Sequence, residues 1–267
     1  MALVIAEHGL SERHACKLLE VDRTSYRYEP RPDQDGAVRA ELLALARAKP
    51  RYGYRRLGVL LTRRGFPLNH KKLYRLYREE HLAVRRLKRK RLRRDSAPVA
   101  ELLRANQEWS LDFVADSLET GRGVRVLTVI DSFTRECLAI ETDSSLSSRR
   151  VTRTLDWIIA QRGRPAAIRS DNGPELTSRH YLGWCEERAI RPLHIQPGRP
   201  MQNGYIESFN GRLRDECLNA TSFATLADAK RKIEAWRMDY NVERPHSSLG
   251  YLTPERFAAQ AAASPPG

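Results

Sequence analysis

Asp112, Asp171 and Glu207 occupy positions at which a carboxylate needs a reason. Asp112 interrupts the apolar run "EWSLDFV", where an ionised side chain is costly unless it is paired or bound to metal. Asp171 ends "AAIRSD" and is followed by "NGPEL", in which Gly173 permits a sharp turn and Pro174 suits the first position of a helix. Glu207 stands early in "GYIESFNGRLRDECLN", on one helical face with Asn210, Arg214 and Leu218 and beside an apolar stripe of Tyr205, Phe209, Leu213 and Cys217. Taken singly, Glu207 reads as a solvated charge on an amphipathic helix. Three acids facing one point repel each other, and the arrangement becomes favourable when divalent cations fill the gap. Hard oxygen ligands call for magnesium or manganese, and two such ions about 3.5–4 Å apart can hold the attacking and leaving oxygens of a phosphodiester in line.

The elements that must position these acids are legible around them. "EWSLDFV", "VRVLTVIDSF" and "RECLAIET" read as strands, the last two as a hairpin through Asp131–Arg135. "SSRRVTRTLDWIIAQRG" reads as a helix ending at Gly163, "AAIRSD" as a strand, "PELTSRHYLGWCEERA" as one helix and "RPLHIQP" as a strand. Right-handed crossovers then make the later strands parallel to the first, with helices on the sheet faces. Ligands gather beyond the carboxyl ends of such strands, so neighbouring strands would bring Asp112 and Asp171 together.

Upstream, residues 2–28 have helix-turn-helix spacing, with Ser11 capping "ERHACKLLE" and a further helix in "RTSYRYE". A plain helical hairpin fits that spacing equally well. Residues 36–82 form a second helical module around "PRYGYRRLGVLLTRRGFPLN". It runs into "RRLKRKRLRRD", whose Arg85, Arg86, Lys88, Arg89, Lys90, Arg91, Arg93 and Arg94 surround any helix they form. Charge this dense repels itself unless phosphates neutralise it, which favours DNA contact over solvated surface.

Composition agrees. The 47 Lys and Arg residues against 33 Asp and Glu leave a net charge of +14, suited to a polyanionic partner. The four cysteines form no C-x-x-C pair, so neither a disulfide framework nor a structural zinc site is indicated, and His8, His14 and Cys16 lack a fourth ligand. The N-terminus has neither signal-peptide nor membrane-span character, and a cytoplasmic protein is expected. Trp157, Trp184 and Trp236 are expected in the core rather than as base-stacking platforms. His194 is expected to be packed. His246 suits a loop hydrogen bond or a DNA contact, and Asn172, Gln202, Asn203 and Asn210 either shape loops or join the site.

Residues 172 to 206, 35 in all, separate Asp171 from Glu207. With that spacing, "SDNGPEL", "NGYIESFNGRLRDECLN", "EWSLDFV", "YGYRRL" and "NVERPHSSLGYLTPERF", nearly the whole chain resembles the second-frame product of bacterial insertion-sequence transposases with a retroviral-integrase type of core. The resemblance implies an α/β fold, a ribonuclease-H-like mixed sheet flanked by helices and preceded by small all-helical DNA-binding modules. The expected segments are a helix-turn-helix-like 1–30, a helical module with basic tail at 31–95, a catalytic core with C-terminal helical extension at 96–262 and a tail at 263–267.

It also implies that Asp112, Asp171 and Glu207 bind two magnesium or manganese ions for end cleavage and strand transfer. Arg214, seven positions after the glutamate, would lie near the DNA end; otherwise it would pair with Asp215 or Glu216 on the surface. Implied partners are the element's terminal repeats and target DNA, further copies of the chain in a synaptic complex, and an upstream-frame product fused or bound to it. The implied place is the bacterial nucleoid. A nuclease or resolvase on the same core, or an inactive DNA-binding repressor, are the competing functions.

Overall fold

In a computed structural model, the described residues are 2–29, 35–84, 102–195 and 203–263. The chain separates into two compact units, Met1–Ala44 and Leu45–Gly267. In the first, α1 (Ala2–His8) is followed by Gly9 at positive φ, by α2 (Glu12–Leu18) and by α3 (Arg23–Tyr26). Ser11 caps α2 by accepting from the His14 amide at 3.3 Å, and Asp22 caps α3 by accepting from the Thr24 amide at 2.7 Å. Glu12 binds Arg27 at 2.7 Å and Arg23 at 3.4 Å. The last helix is four residues long, shorter than the helix expected from "RTSYRYE"; Pro30, shortly beyond it, disfavours helical backbone in the residue before it.

A fourth helix, α4 (Gly36–Ala48), spans the division between the units. The second unit continues with α5 (Tyr54–Arg63) and α6 (His70–Glu79), which bury Leu57, Leu60, Leu61, Leu73, Leu76 and Tyr77. There follow β1 (Glu108–Ser117), β2 (Gly123–Asp131), β3 (Cys137–Asp143), α7 (Ser148–Arg162), β4 (Ala167–Ser170), α8 (Pro174–Thr177), α9 (Arg179–Glu187) and β5 (Arg191–His194). Then come α10 (Gly204–Glu216), α11 (Leu226–Val242) and α12 (Pro254–Ala263). The region read as one helix over 174–189 is two, because Ser178 is extended and its hydroxyl accepts from the Tyr181 amide at 3.2 Å, starting α9 afresh.

The sheet order is β3-β2-β1-β4-β5, with β2 antiparallel to both β1 and β3, and β1, β4 and β5 parallel. Asp131 builds the hairpin turn by accepting from the Phe133 and Thr134 amides, and Arg135 takes positive φ. Because side chains alternate across a strand, β1 feeds two cores. Trp109 and Leu111 pack with Val151, Leu155 and Ile158 of α7 and Tyr181 and Trp184 of α9. Val114 packs on the other face with Ile206, Phe209 and Leu213 of α10 and Ile233 and Tyr240 of α11. Trp184 is buried and Trp236 packs against the second core, but Trp157 is 55% exposed. It lies off the Val151, Leu155, Ile158 stripe that meets the sheet, which corrects the expectation that it is core.

The helices of residues 45–84 belong to the same unit as the sheet. Lys49 pairs with Asp239, Arg51 with Asp215, and Arg63 donates to the carbonyls of Glu243 at 2.9 Å and Tyr251 at 3.4 Å. All four cysteines are free and buried.

Candidate active site

Two aspartates reach one end of the parallel strand pair through register. Trp109 lies opposite Ile168 and Ser110 opposite Arg169, so continuing the pairing two residues brings Asp112 level with Asp171, just past the end of β4. Glu108 and Arg169 lock that register with a bidentate ion pair at 3.0 and 2.7 Å. Asp112 alternates with Leu111 and therefore faces α10 rather than α7.

There its Oδ2 accepts from Asn210 Nδ2 at 2.8 Å and its Oδ1 from the Phe113 amide at 2.8 Å. Thr128, opposite Asp112 on β2, donates to Asn210 Oδ1 at 2.9 Å. Burial raises the Asp112 pKa above the usual carboxylate range; its hydrogen bonds oppose that rise, the charge of Asp171 adds to it and that of Arg214 reduces it. Asp171 itself accepts from the Gly173 amide at 3.1 Å, closing the turn into α8.

Glu207 lies in the first turn of α10, where the helix dipole favours a negative charge. Its side chain is exposed, yet partial desolvation and then the charge of Asp112 raise its pKa. The three acids therefore gather on one side of the sheet and two of the three pairings are felt electrostatically. Among the described residues no three Asp, Glu, His or Cys side chains close to ion-binding distance. Asp112 accepts a hydrogen bond at each oxygen and Asp171 at one, and like charges favour separation unless a cation lies between them. An all-carboxylate donor set in which Asp171 raises the pKa of Asp112 and Asp112 that of Glu207 fits a hard divalent cation, and it offers no soft ligand for zinc or copper.

Arg214 is exposed and reaches the Ala115 carbonyl at 3.4 Å. It does not pair with its neighbours, since Asp215 is held by Arg51 and Glu216 by Arg244. Asn210 carries more than its place in the sequence suggested: it is buried and joins α10 to both β1 and β2. Asn203 is buried, with Nδ2 3.5 Å from the Leu111 carbonyl. Asn172 holds a loop through the Ile195 carbonyl at 3.1 Å. His194 is partly buried, with Nδ1 3.3 Å from the Asp171 carbonyl oxygen and 3.5 Å from Ser170 Oγ. His246 is buried. Gln202 and the basic run Arg85, Arg86, Lys88, Arg89, Lys90, Arg91, Arg93 and Arg94 lie outside the described residues.

Comparison with known proteins agrees with the fold. A family described as "Integrase core domain" matches residues 103–200, a second so described matches 188–254, and one described as "HTH-like domain" matches 37–91. The uncharacterized 31.7 kDa protein of insertion element IS407 from Burkholderia multivorans is 46% identical, covering 97% of this chain and 95% of its own. The uncharacterized 39.2 kDa protein of insertion element IS476 from Xanthomonas euvesicatoria is 48% identical over 94% of this chain and 73% of its own. The putative transposase InsK for IS150 of Escherichia coli is 27% identical over 90% of this chain and 91% of its own. Among solved structures, a simian T-cell lymphotropic virus intasome in complex with PP2A regulatory subunit B56 gamma aligns with a TM-score of 0.53 at 18% identity. That alignment covers 82% of this chain and 74% of the other, and at such identity it is the fold that is shared.

Proposed function

Because the chain belongs to the insertion-element transposases with an integrase-type core, we propose that Asp112, Asp171 and Glu207 are the acids at which it cuts and joins DNA. It is a polynucleotidyl transferase: an oxygen nucleophile attacks a phosphodiester, a new P–O bond forms, and the old one breaks with its electrons on the leaving 3′ oxygen. In end cleavage the nucleophile is water; in strand transfer it is the 3′ hydroxyl so released. No covalent protein intermediate is needed. The observation that carries the residue assignment is the parallel register that sets Asp112 level with Asp171 on the α10 side, where the charge of Asp112 raises the Glu207 pKa.

Two magnesium or manganese ions bound by these acids would supply charge neutralisation at the attacking and leaving oxygens. The chain's own groups hold that arrangement ready. Asn210 orients one oxygen of Asp112, and the Gly173 amide orients Asp171. The first turn of α10 presents Glu207 with its dipole directed favourably. Arg214, one helical turn beyond Asn210, offers a fixed positive charge for a DNA phosphate without competing for the ions. Joining both ends of an element in one event calls for at least two copies of the chain. Fusion with an upstream-frame product rests on the sequence resemblance alone.

The test is a joining assay with oligonucleotide ends and magnesium. Asp112→Asn, Asp171→Asn and Glu207→Gln should each reduce cleavage and joining by at least a hundredfold while DNA affinity is retained. Near-normal joining by Glu207→Gln would remove it from the triad. Cleavage without joining by the unaltered chain would instead indicate a nuclease, and DNA binding with neither reaction a repressor.

A further inference from the structure

On the opposite side of α10 from the acids lies a cavity of about 370 Å³. At about 100° per residue, Tyr205, Ser208 and Arg212 form a stripe turned away from that of Glu207, Asn210 and Arg214. The cavity is lined by four arginines drawn from separate segments: Arg56 from α5, Arg135 from the β2–β3 turn, Arg212 from α10 and Arg244 beyond α11. None of its described lining residues is acidic.

One of the four is accounted for by the fold. Arg244 is 1% exposed, binds Glu216 through two hydrogen bonds at 2.9 and 2.5 Å, and lies between the rings of Tyr52 and Tyr240. The other three have no carboxylate partner among the described residues. Arg135 donates to the Ser132 carbonyl and lies 3.5 Å from the centre of the Tyr205 ring. Arg212 reaches only the Ser208 hydroxyl, at 3.4 Å, and Arg56 lies over Tyr52.

The arginines are felt strongly. Burial and then the charge of Arg244 lower the pKa of Arg56 to about 10, and the same two causes lower that of Arg212. His246, on the cavity wall, is pushed down to about 2 by burial and by all four guanidinium groups. It is therefore neutral, and its ring nitrogen can accept a hydrogen bond from a neighbouring guanidinium: Arg244 Nη1 lies 3.5 Å from Nε2. A half-enclosed cavity with three uncompensated guanidinium groups is unfavourable by itself and becomes favourable around a tetrahedral dianion or a phosphodiester. The first turn of α10, through Gly204 and Tyr205, adds its positive helix end to the same cavity.

We propose that the cavity lined by Arg56, Arg135, Arg212 and Arg244 is a seat for one backbone phosphate of the DNA on which the acids act. The proposal rests on the transposase reading for the identity of the ligand. α10 then holds its DNA from two sides, with Glu207 at the reacting phosphate and Arg212 at another. A helix is about 10–12 Å across and successive phosphates of a strand rise about 3.4 Å, so the second phosphate lies a few nucleotides away. Arg56 belongs to "YGYRRL" and Arg244 to "NVERPHSSLG", so the seat also gives these two motifs a common ligand.

The experiment measures DNA affinity of the full chain by anisotropy in EDTA, which removes catalysis from the readout. Oligonucleotide ends carrying one neutral methylphosphonate at each successive position serve as probes. Arg56→Gln and Arg212→Gln should each weaken binding roughly tenfold, as loss of a charged hydrogen bond does. Each should lower the salt slope by about one. The unaltered chain should lose affinity at one or two methylphosphonate positions, and the variants should be indifferent to those positions, with Arg212→Lys partly restoring the discrimination. Thermal melting of the variants provides the folding control: with one repelling charge fewer in each, it should not fall by more than a degree or two. If a variant does unfold, inorganic phosphate raising the melting temperature of the unaltered chain, together with its position-specific methylphosphonate loss, supports the seat.

Variants that bind every probe like the unaltered chain overturn the proposal. Stabilisation by inorganic phosphate without any methylphosphonate effect assigns the cavity to a free anion and overturns the DNA assignment. Failure of the transposase reading would show separately, as absence of joining by the unaltered chain in magnesium.

Discussion

Asp112 shows what a carboxylate proposed for metal binding costs at the scale of one residue. Its folded-state pKa lies above the ordinary 3.8 because burial disfavours the charge, with Asp171 adding to the effect. A raised pKa means that its contribution to stability is fully present below the unfolded value and is lost as pH rises through the folded one. Without divalent ions, the protein therefore carries a disfavoured charge at neutral pH. Asp112→Asn removes that charge and keeps an acceptor oxygen for Asn210, giving up the local bond from the Phe113 amide. Melted in EDTA at pH 7, the variant should exceed the unaltered chain by a few degrees, at about 2–4 °C per kcal/mol for a domain of 150–250 residues. The difference should close toward pH 4. Equal melting at both pH values would show that burial of the charge has no consequence for stability.

At the scale of the element, α10 is fastened to the sheet by one polar bridge set in an apolar contact. Ile206, Phe209 and Leu213 pack against β1, β2 and α11, while Asn210 satisfies both Thr128 and Asp112. Removing the amide leaves a half-buried carboxylate short of a partner and the Thr128 hydroxyl with only the Asp112 carbonyl, so Asn210→Ala should cost about 1–3 kcal/mol, read as a lower urea midpoint. It should also raise the Asp112 pKa further, because the lost hydrogen bond is one of the interactions holding it down. Joining by Asn210→Ala should then fall more steeply on the acid side than joining by the unaltered chain. A variant with unchanged midpoint and pH profile would leave the apolar contact as the fastening.

The whole molecule is a strongly basic chain whose charge is distributed very unevenly. Eight of the positive residues stand between 85 and 94. Ion pairs of Lys49 and Arg51 and the hydrogen bonds from Arg63 to backbone carbonyls meanwhile hold the helices of residues 45–84 to the rest of the second unit. Replacing four residues of the basic run with alanine should weaken binding to all DNA sequences alike and reduce the magnitude of the salt slope by about three to four, at roughly 0.9 per phosphate contact. An unchanged slope would return the run to solvated surface. The run and the arginine cavity make separable predictions, since the first is indifferent to which phosphate is neutralised and the second is not.

The sequence alone determined the order of the strands, the hairpin and the parallel pairing of the later strands, and it singled out the three acids proposed for the site, because the signals that mark them are local. Alternation in "EWSLDFV", a cap at Ser11, Gly163 after a helix and an acid ending a strand each act within a few residues of chain. Tertiary structure decided the rest. Ser178 splits what reads as one helix, and Trp157 turns outward because the sheet meets only the stripe of Val151, Leu155 and Ile158. Asn210 became a bridge only when Asp112 and Thr128 were brought beneath it. The arginine cavity is the clearest case: residues 56, 135, 212 and 244 converge there, and no local pattern relates them. Arginines so far apart in sequence share an electrostatic environment only after folding removes the water between them and sets which face of α10 each one meets.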